Sequence, residues 1–128
     1  QWAKHLGATT IGTVSTDDKA KLAKAAGATH IINYKTEDFV KRTKELTDGQ
    51  GVDVVYDAVG KDTYPGPLDC LKPLGLWVRF GEASGAIPNS ATLAPAAMRG
   101  GARLIDVLFW RYAITNPLAI FFLVTRTA

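Results

Sequence analysis

Hydroxyl, cationic and glycine-rich residues recur in this sequence at the ends of short apolar runs. Ser15, Thr16 and Lys19 follow Thr9-Thr10-Ile11-Gly12-Thr13-Val14, and Tyr34 and Lys35 follow His30-Ile31-Ile32-Asn33. Asp57-Ala58-Val59-Gly60 closes a run that starts at Val52, and Phe80-Gly81-Glu82-Ala83-Ser84-Gly85 follows Leu74 to Arg79. If the runs are parallel strands, these positions are strand carboxyl ends, where ligands bind in open α/β sheets. A cation beside hydroxyls can hold an anionic group, and glycine lets a ligand approach the backbone closely. The same residues have plainer readings. Lys19 is one of three lysines, with Lys21 and Lys24, that fit a solvated helix face, and Tyr34 fits a strand end. Asp57 reads as a strand-end carboxylate bonded to backbone donors rather than as a general base. His5 and His30 have no partner at metal-ligand spacing, so no metal site and no catalytic acid or base is assigned. Trp2, Trp77 and Trp110 read as core or interface filler.

The elements that must position these residues alternate along the chain. Residues 1–6 fit a helix closing on Gly7. Thr9 to Ser15 is β-branched and nearly uncharged, as expected for a strand buried on both faces of a parallel sheet. Thr16 can cap a helix whose first turn carries Asp17 and Asp18 and which ends at Gly27. A strand over His30–Tyr34 follows, then a helix capped by Thr36, opening with Glu37-Asp38 and reaching Leu46. Val52–Gly60 is the clearest strand. A helix with its regular part starting near Pro67 reaches Leu71, and strands are expected over Leu74–Gly81 and Leu104–Phe109. Strands and helices repeating at intervals of about 20 to 25 residues imply right-handed βαβ units in an α/β, doubly wound parallel sheet.

Composition narrows the function classes. The chain has 128 residues, 47% hydrophobic and 21% charged, with twelve glycines and one cysteine. That length supports one domain with a core, and the composition excludes disorder, collagen-like repeats and a disulfide scaffold. A single Cys70 suits a reducing, cytoplasmic setting. The longest apolar stretch, Pro117 to Val124, is far shorter than the roughly twenty residues of a membrane span. Residues 1–64 carry nine basic and nine acidic side chains, while residues 65–128 carry six and three and so hold the whole net charge of +3. Arg79, Arg99, Arg103, Arg111 and Arg126 are scattered, which argues against a primary nucleic-acid role. The opening Gln1-Trp2-Ala3-Lys4-His5-Leu6 reads like the back half of a helix, so the chain is expected to be a piece of something longer.

Five segments in order carry a family resemblance. Gly12 to Lys19, Gly27-Ala28 with Ile32 to Lys35, Val54 to Gly60, Leu68 to Pro73, and Phe80-Gly81-x-Ala83-Ser84-Gly85 closely resemble the NADPH:quinone oxidoreductases. These are the zinc-independent, zeta-crystallin-like branch of the medium-chain dehydrogenase/reductase superfamily. The resemblance implies a Rossmann-like domain that binds NADPH, with hydride passing to a quinone or a related electrophilic alkene and with no zinc. It implies that Lys19 and Tyr34 contact the 2′-phosphate, with Ser15 and Thr16 beside them. It also implies that Ala58, Val59 and Gly60 line the adenosine and ribose, and that Phe80, Gly81, Ala83, Ser84 and Gly85 flank the nicotinamide. Charge supports the first assignment, because a site built for NADH typically places an acidic residue where this sequence has Ser15.

The departures are equally specific. The family's first strand and its glycine-rich phosphate turn would lie immediately before Gln1, outside this sequence, so the sheet is expected to be incomplete, with unpaired edges on the strands that would flank it. Residues 1–109 then form a partial NADPH-binding domain, and residues 110–128 a divergent apolar tail of the same domain. Glu82 stands where the family has a neutral amide, and a carboxylate there is expected to favour the oxidised, positively charged ring. Arg79 stands where a small residue is common. Alternatives that stay open are an enoyl reductase of the same superfamily, a non-catalytic nucleotide-binding or interaction module, and an inactive fragment. Self-association as a homodimer stays open as well.

Overall fold

The computed structural model of the chain describes residues 1–87 and the strands at 103–106 and 121–126. A short helix α1 (Trp2–His5) leads into β1 (Ala8–Val14), α2 (Asp17–Ala25) and β2 (His30–Asn33). Then come α3 (Phe39–Leu46), β3 (Val52–Asp57), α4 (Gly66–Cys70) and β4 (Leu71–Arg79), with β5 (Arg103–Asp106) and β6 (Phe121–Arg126) completing the order. The six strands form one sheet in the order β2-β1-β6-β3-β4-β5. β1 with β2, β3 with β4, and β4 with β5 are parallel pairs, the product of helical crossovers over the first two of these.

Local sequence explains most boundaries. Thr16, extended at φ −149°, accepts from the Lys19 N–H through its hydroxyl and starts α2, with Asp17 and Asp18 at the positive end of the helix. The start of α3 differs from expectation. Asp38 is the cap, its Oδ1 accepting from Val40 N at 2.9 Å and Lys41 N at 3.1 Å, while Glu37 turns back to accept from Asn33 N at 2.9 Å. A carboxylate that reaches two orphan N–H groups is the stronger cap, and Thr36 is left in the turn before it, bonded to the Asn33 carbonyl. β4 starts at Leu71, earlier than Leu74, because Leu71 is itself a core residue paired with Val52 across the sheet. β3 stops at Asp57, where the side chain takes over the next backbone donors.

The core gathers Ile11, Ile32, Val52, Val55, Cys70, Leu71, Trp77 and Ile87, with Phe39, Val40, Leu46, Tyr64 and Leu68 packed against it. Trp77 is fully buried and stacks with Tyr64 at 6.4 Å, so its expected role as filler holds. Trp2 is not core: it is exposed, stacked on His5 at 5.6 Å. Trp110 lies outside the described residues. Among the described residues, no helix is long and apolar enough to cross a membrane.

The centre of the sheet corrects two expectations. The strands expected to show unpaired edges, β1 and β3, are both paired, and their common neighbour is β6 from the apolar tail. β6 runs antiparallel to each, so the sheet is α/β and doubly wound in order but mixed in direction rather than wholly parallel. Two open rows of backbone donors and acceptors in mid-sheet are costly to leave unmade, and Phe121-Phe122-Leu123-Val124-Thr125-Arg126 is a β-forming run without Gly or Pro that satisfies them.

Candidate functional site

The carboxyl ends of β1 and β2 lie side by side, with Val14 opposite Asn33 and the Tyr34 N–H donating to the Val14 carbonyl at 3.0 Å. This register brings Ser15 and Tyr34 to one rim of the sheet. Lys19 sits on the first turn of α2 and its Nζ donates to Ser15 Oγ at 3.3 Å. It differs from the other two lysines of its helix. Lys21 and Lys24 are exposed, and Lys21 pairs with Asp18 at 3.1 Å, whereas Lys19 is half-buried and among the described residues no carboxylate pairs with it. Thr16 contributes its hydroxyl to the helix cap, so its part at this rim is to hold the Lys19 backbone. Lys35, next to Tyr34 in the chain and outside the set of expected site residues, places its Nζ 5.8 Å from the Tyr34 ring centroid. Its signal was adjacency alone. Ser15, Lys19, Tyr34 and Lys35 thus form a rim of two hydroxyls and two cations, an arrangement suited to a phosphate monoester.

A second group forms at the ends of β3 and β4. The loop 58–60 and the loop 80–85 are bonded to each other: Ala83 N donates to Ala58 O at 3.0 Å, Ser84 N to Val59 O at 2.9 Å, and Lys61 N to Gly85 O at 3.1 Å. Ser84 Oγ donates to Val59 O at 2.7 Å and accepts from Asp62 N at 2.9 Å. Gly60, at φ +86°, is required by this contact, since a Cβ there would lie 2.7 Å from the Gly85 carbonyl oxygen. The two loops are one structural unit.

Asp57 anchors that unit. Its Oδ1 accepts from Val59 N at 2.8 Å and Gly60 N at 3.2 Å, as expected of a strand-end carboxylate. Burial pushes its carboxyl above the ordinary value. The Val59 and Gly60 N–H groups, the Arg79 charge and the Trp77 indole pull the other way. Oδ2 is buried without a regular hydrogen bond among the described residues. Arg79, also buried, forms an ion pair with Glu82, which is half exposed. The two departures from the family pattern are therefore partners, and the pair presents no net charge to the loop. This revises the expectation that an uncompensated Glu82 carboxylate acts on a bound ring.

The two groups flank β6, whose amino end lies between them: Phe121 is opposite Thr13 and Phe122 opposite Tyr56. From that point the chain winds outward in opposite directions, β1 to β2 on one side and β3 to β4 to β5 on the other. This is a topological switch point, the place where open α/β sheets bind ligands. A shallow depression lined by Ala20, Lys21, Lys24, Thr29, His30 and Ile31 lies at the opposite, amino end of β2 and contains none of the expected site residues.

The sequence pattern of the zinc-binding dehydrogenase family matches residues 1–116. A 2-haloacrylate reductase from Burkholderia sp. is 47% identical over 111 residues, 87% of this chain and 33% of that protein. Quinone oxidoreductase 1 of Escherichia coli is 58% identical over 87 residues, 68% of this chain and 27% of its own length. The crystal structure of Escherichia coli quinone oxidoreductase complexed with NADPH superimposes with a TM-score of 0.76 at 48% identity, covering 82% of this chain and 32% of that one. The chain thus spans about a third or less of the proteins it matches.

Proposed function

Because this chain belongs to the zinc-binding dehydrogenase family, we propose that it is the NADPH-holding part of a quinone oxidoreductase. The observation that carries the reading is the Lys19–Ser15 contact at the end of β1, beside Tyr34 and with no carboxylate paired to Lys19 among the described residues. A 2′-phosphate on the adenosine ribose is the anion this rim fits: Lys19 and Lys35 supply charge, and Ser15 and Tyr34 supply hydroxyl donors. The loop 58–60 offers close backbone approach to the ribose and adenosine, and the loop 80–85 flanks the nicotinamide. When bound, the cofactor supplies a hydride to an electron-poor acceptor. The chain's own part is to bind and orient it, and the Arg79–Glu82 pair keeps the ring's surroundings neutral.

The family name implies zinc, but the residues present do not fit it. Among the described residues no three His, Cys, Asp or Glu side chains come together to hold a metal, and Cys70 is fully buried. The longer match to a 2-haloacrylate reductase supports a second reading of the acceptor, an activated alkene in place of a quinone; the cofactor site is the same in both. A cytoplasmic setting accords with the lone, reduced cysteine.

Titration of the chain with NADPH and with NADH tests the proposal. NADPH is expected to bind tighter, and Lys19→Ala to weaken it by about 1 to 2 kcal/mol, the lower part of the range for a charge-assisted contact because Lys19 is half exposed. NADH affinity is expected to stay unchanged. Equal losses for both cofactors would remove the 2′-phosphate assignment.

A further inference from the structure

In the common doubly wound order, 3-2-1-4-5-6, the first strand lies at the centre, runs parallel to its neighbours, and is followed by the turn that cradles a pyrophosphate. Here β2 and β1 on one side and β3, β4 and β5 on the other fill the outer positions of that order, and β6 holds the centre in the reverse direction. The family match ends at residue 116, before β6 begins at Phe121. The family pattern thus supplies the slot, and a segment outside it supplies the strand. Both edges are engaged, from Ala8↔Arg126 to Thr13↔Phe121 against β1 and from Val54↔Val124 to Tyr56↔Phe122 against β3. Direction decides the consequence. A parallel central strand ends beside Ser15 and Asp57 and can be followed there by a phosphate-binding turn, whereas β6 starts at that end and runs away from it.

We propose that β6 is a self-complementing strand: it completes the sheet within the chain and, while it holds the slot, excludes a parallel strand bearing a phosphate-binding turn. Resting on the NADPH reading above, this makes the chain a receptor for the adenosine 2′-phosphate end of the dinucleotide, with no contribution from the pyrophosphate.

Paired cysteines test the strand. Thr9 and Thr125 are direct partners across β1 and β6, so T9C/T125C is expected to close an intramolecular disulfide under mild oxidation while the chain stays monomeric. T9C/F122C, three residues out of register and so separated by roughly 10 Å along the strand, is expected not to close. Native Cys70 is buried and does not compete. Equal closure in both variants, or bridging only between two chains, would overturn the proposal. Hydrogen exchange on the unmodified chain gives an independent reading: the amides of Thr9, Ile11, Thr13, Val54 and Tyr56, which face β6, are expected to be as protected as those of β4, and rapid exchange there would contradict β6 in the slot. On the cross-linked chain, adenosine 2′-monophosphate and adenosine 2′,5′-bisphosphate are expected to bind with the same Kd. Bisphosphate binding more than about tenfold tighter would refute the exclusion of the pyrophosphate site. If neither binds, the cofactor reading fails and takes the ligand half of the proposal with it, while the cross-link still decides the strand.

Discussion

Removing the Glu82 charge isolates the Arg79–Glu82 pair. The Arg79 side chain is 6% exposed and that of Glu82 42% exposed, so one charge is buried and the other sits at the rim. Breaking a fully buried pair costs about 3 to 5 kcal/mol and an exposed pair about 0 to 1. A pair with one end in each environment falls between, and Asp57 lies close enough to leave Arg79 a second negative neighbour. Glu82→Gln is therefore expected to cost about 1 to 2 kcal/mol, because the amide retains an acceptor but not the charge. In an Arg79→Met background, where no cation needs an answer, the same substitution is expected to cost close to zero. The coupling energy from urea unfolding of the four chains is then about 1 to 2 kcal/mol. An equal cost for Glu82→Gln in both backgrounds would refute the coupling and restore Glu82 as an independent charge. The same variant, in the cofactor reading, is expected to shift the ratio of reduced to oxidised nicotinamide affinity toward the reduced form, since it removes one negative charge from the ring's surroundings.

Three further outcomes follow from the site. Gly60→Ala is expected to destabilise the chain by about 2 kcal/mol or more in urea unfolding, from a left-handed backbone and a Cβ placed against the Gly85 carbonyl; a loss under about 0.5 kcal/mol would show that the two loops separate freely. For Asp57, burial raises the carboxyl, so the folded chain binds the proton more tightly than the unfolded chain and its contribution to stability falls as pH rises through the window between 3.8 and the raised value. Asp57→Asn retains an acceptor for the Val59 and Gly60 N–H groups and is expected to gain stability relative to the native chain as pH rises through that window; a relative loss would reverse the sign of the shift. The Cys70 thiol, fully buried and pushed up to about 12, is expected to resist a thiol reagent at pH 8 until the chain unfolds, and prompt stoichiometric labelling of the native chain would contradict its place in the core.

Local rules made the left half of the sheet readable. The Thr16 cap, the acidic first turn of α2 and the glycines at 7 and 27 fix α1, β1 and α2 to within a residue or two, and β-branched runs mark β2 and β3. The backbone role of Asp57 is legible because a carboxylate at a strand end faces the N–H groups that the ladder no longer uses. The choice between Thr36 and Asp38 as cap needed three dimensions, since both residue types cap helices and only geometry shows which oxygen reaches Val40 and Lys41. The partnership of Arg79 with Glu82 is hidden for a different reason: a family pattern sets each residue against its usual counterpart and not against the other. A spacing of three along the chain was the available signal. The place of Phe121–Arg126 was not legible locally, because an apolar run states that it must be buried and leaves open which of several edges will bury it.

The most direct test of the cofactor account is residue-level mapping of nucleotide binding on the isotope-labelled chain. NADPH is expected to shift the amide resonances of Ser15, Thr16, Lys19 and Tyr34, and NADH at the same concentration to leave them in place. Shifts of equal size from both cofactors, or NADPH shifts confined to residues away from this rim, would contradict it.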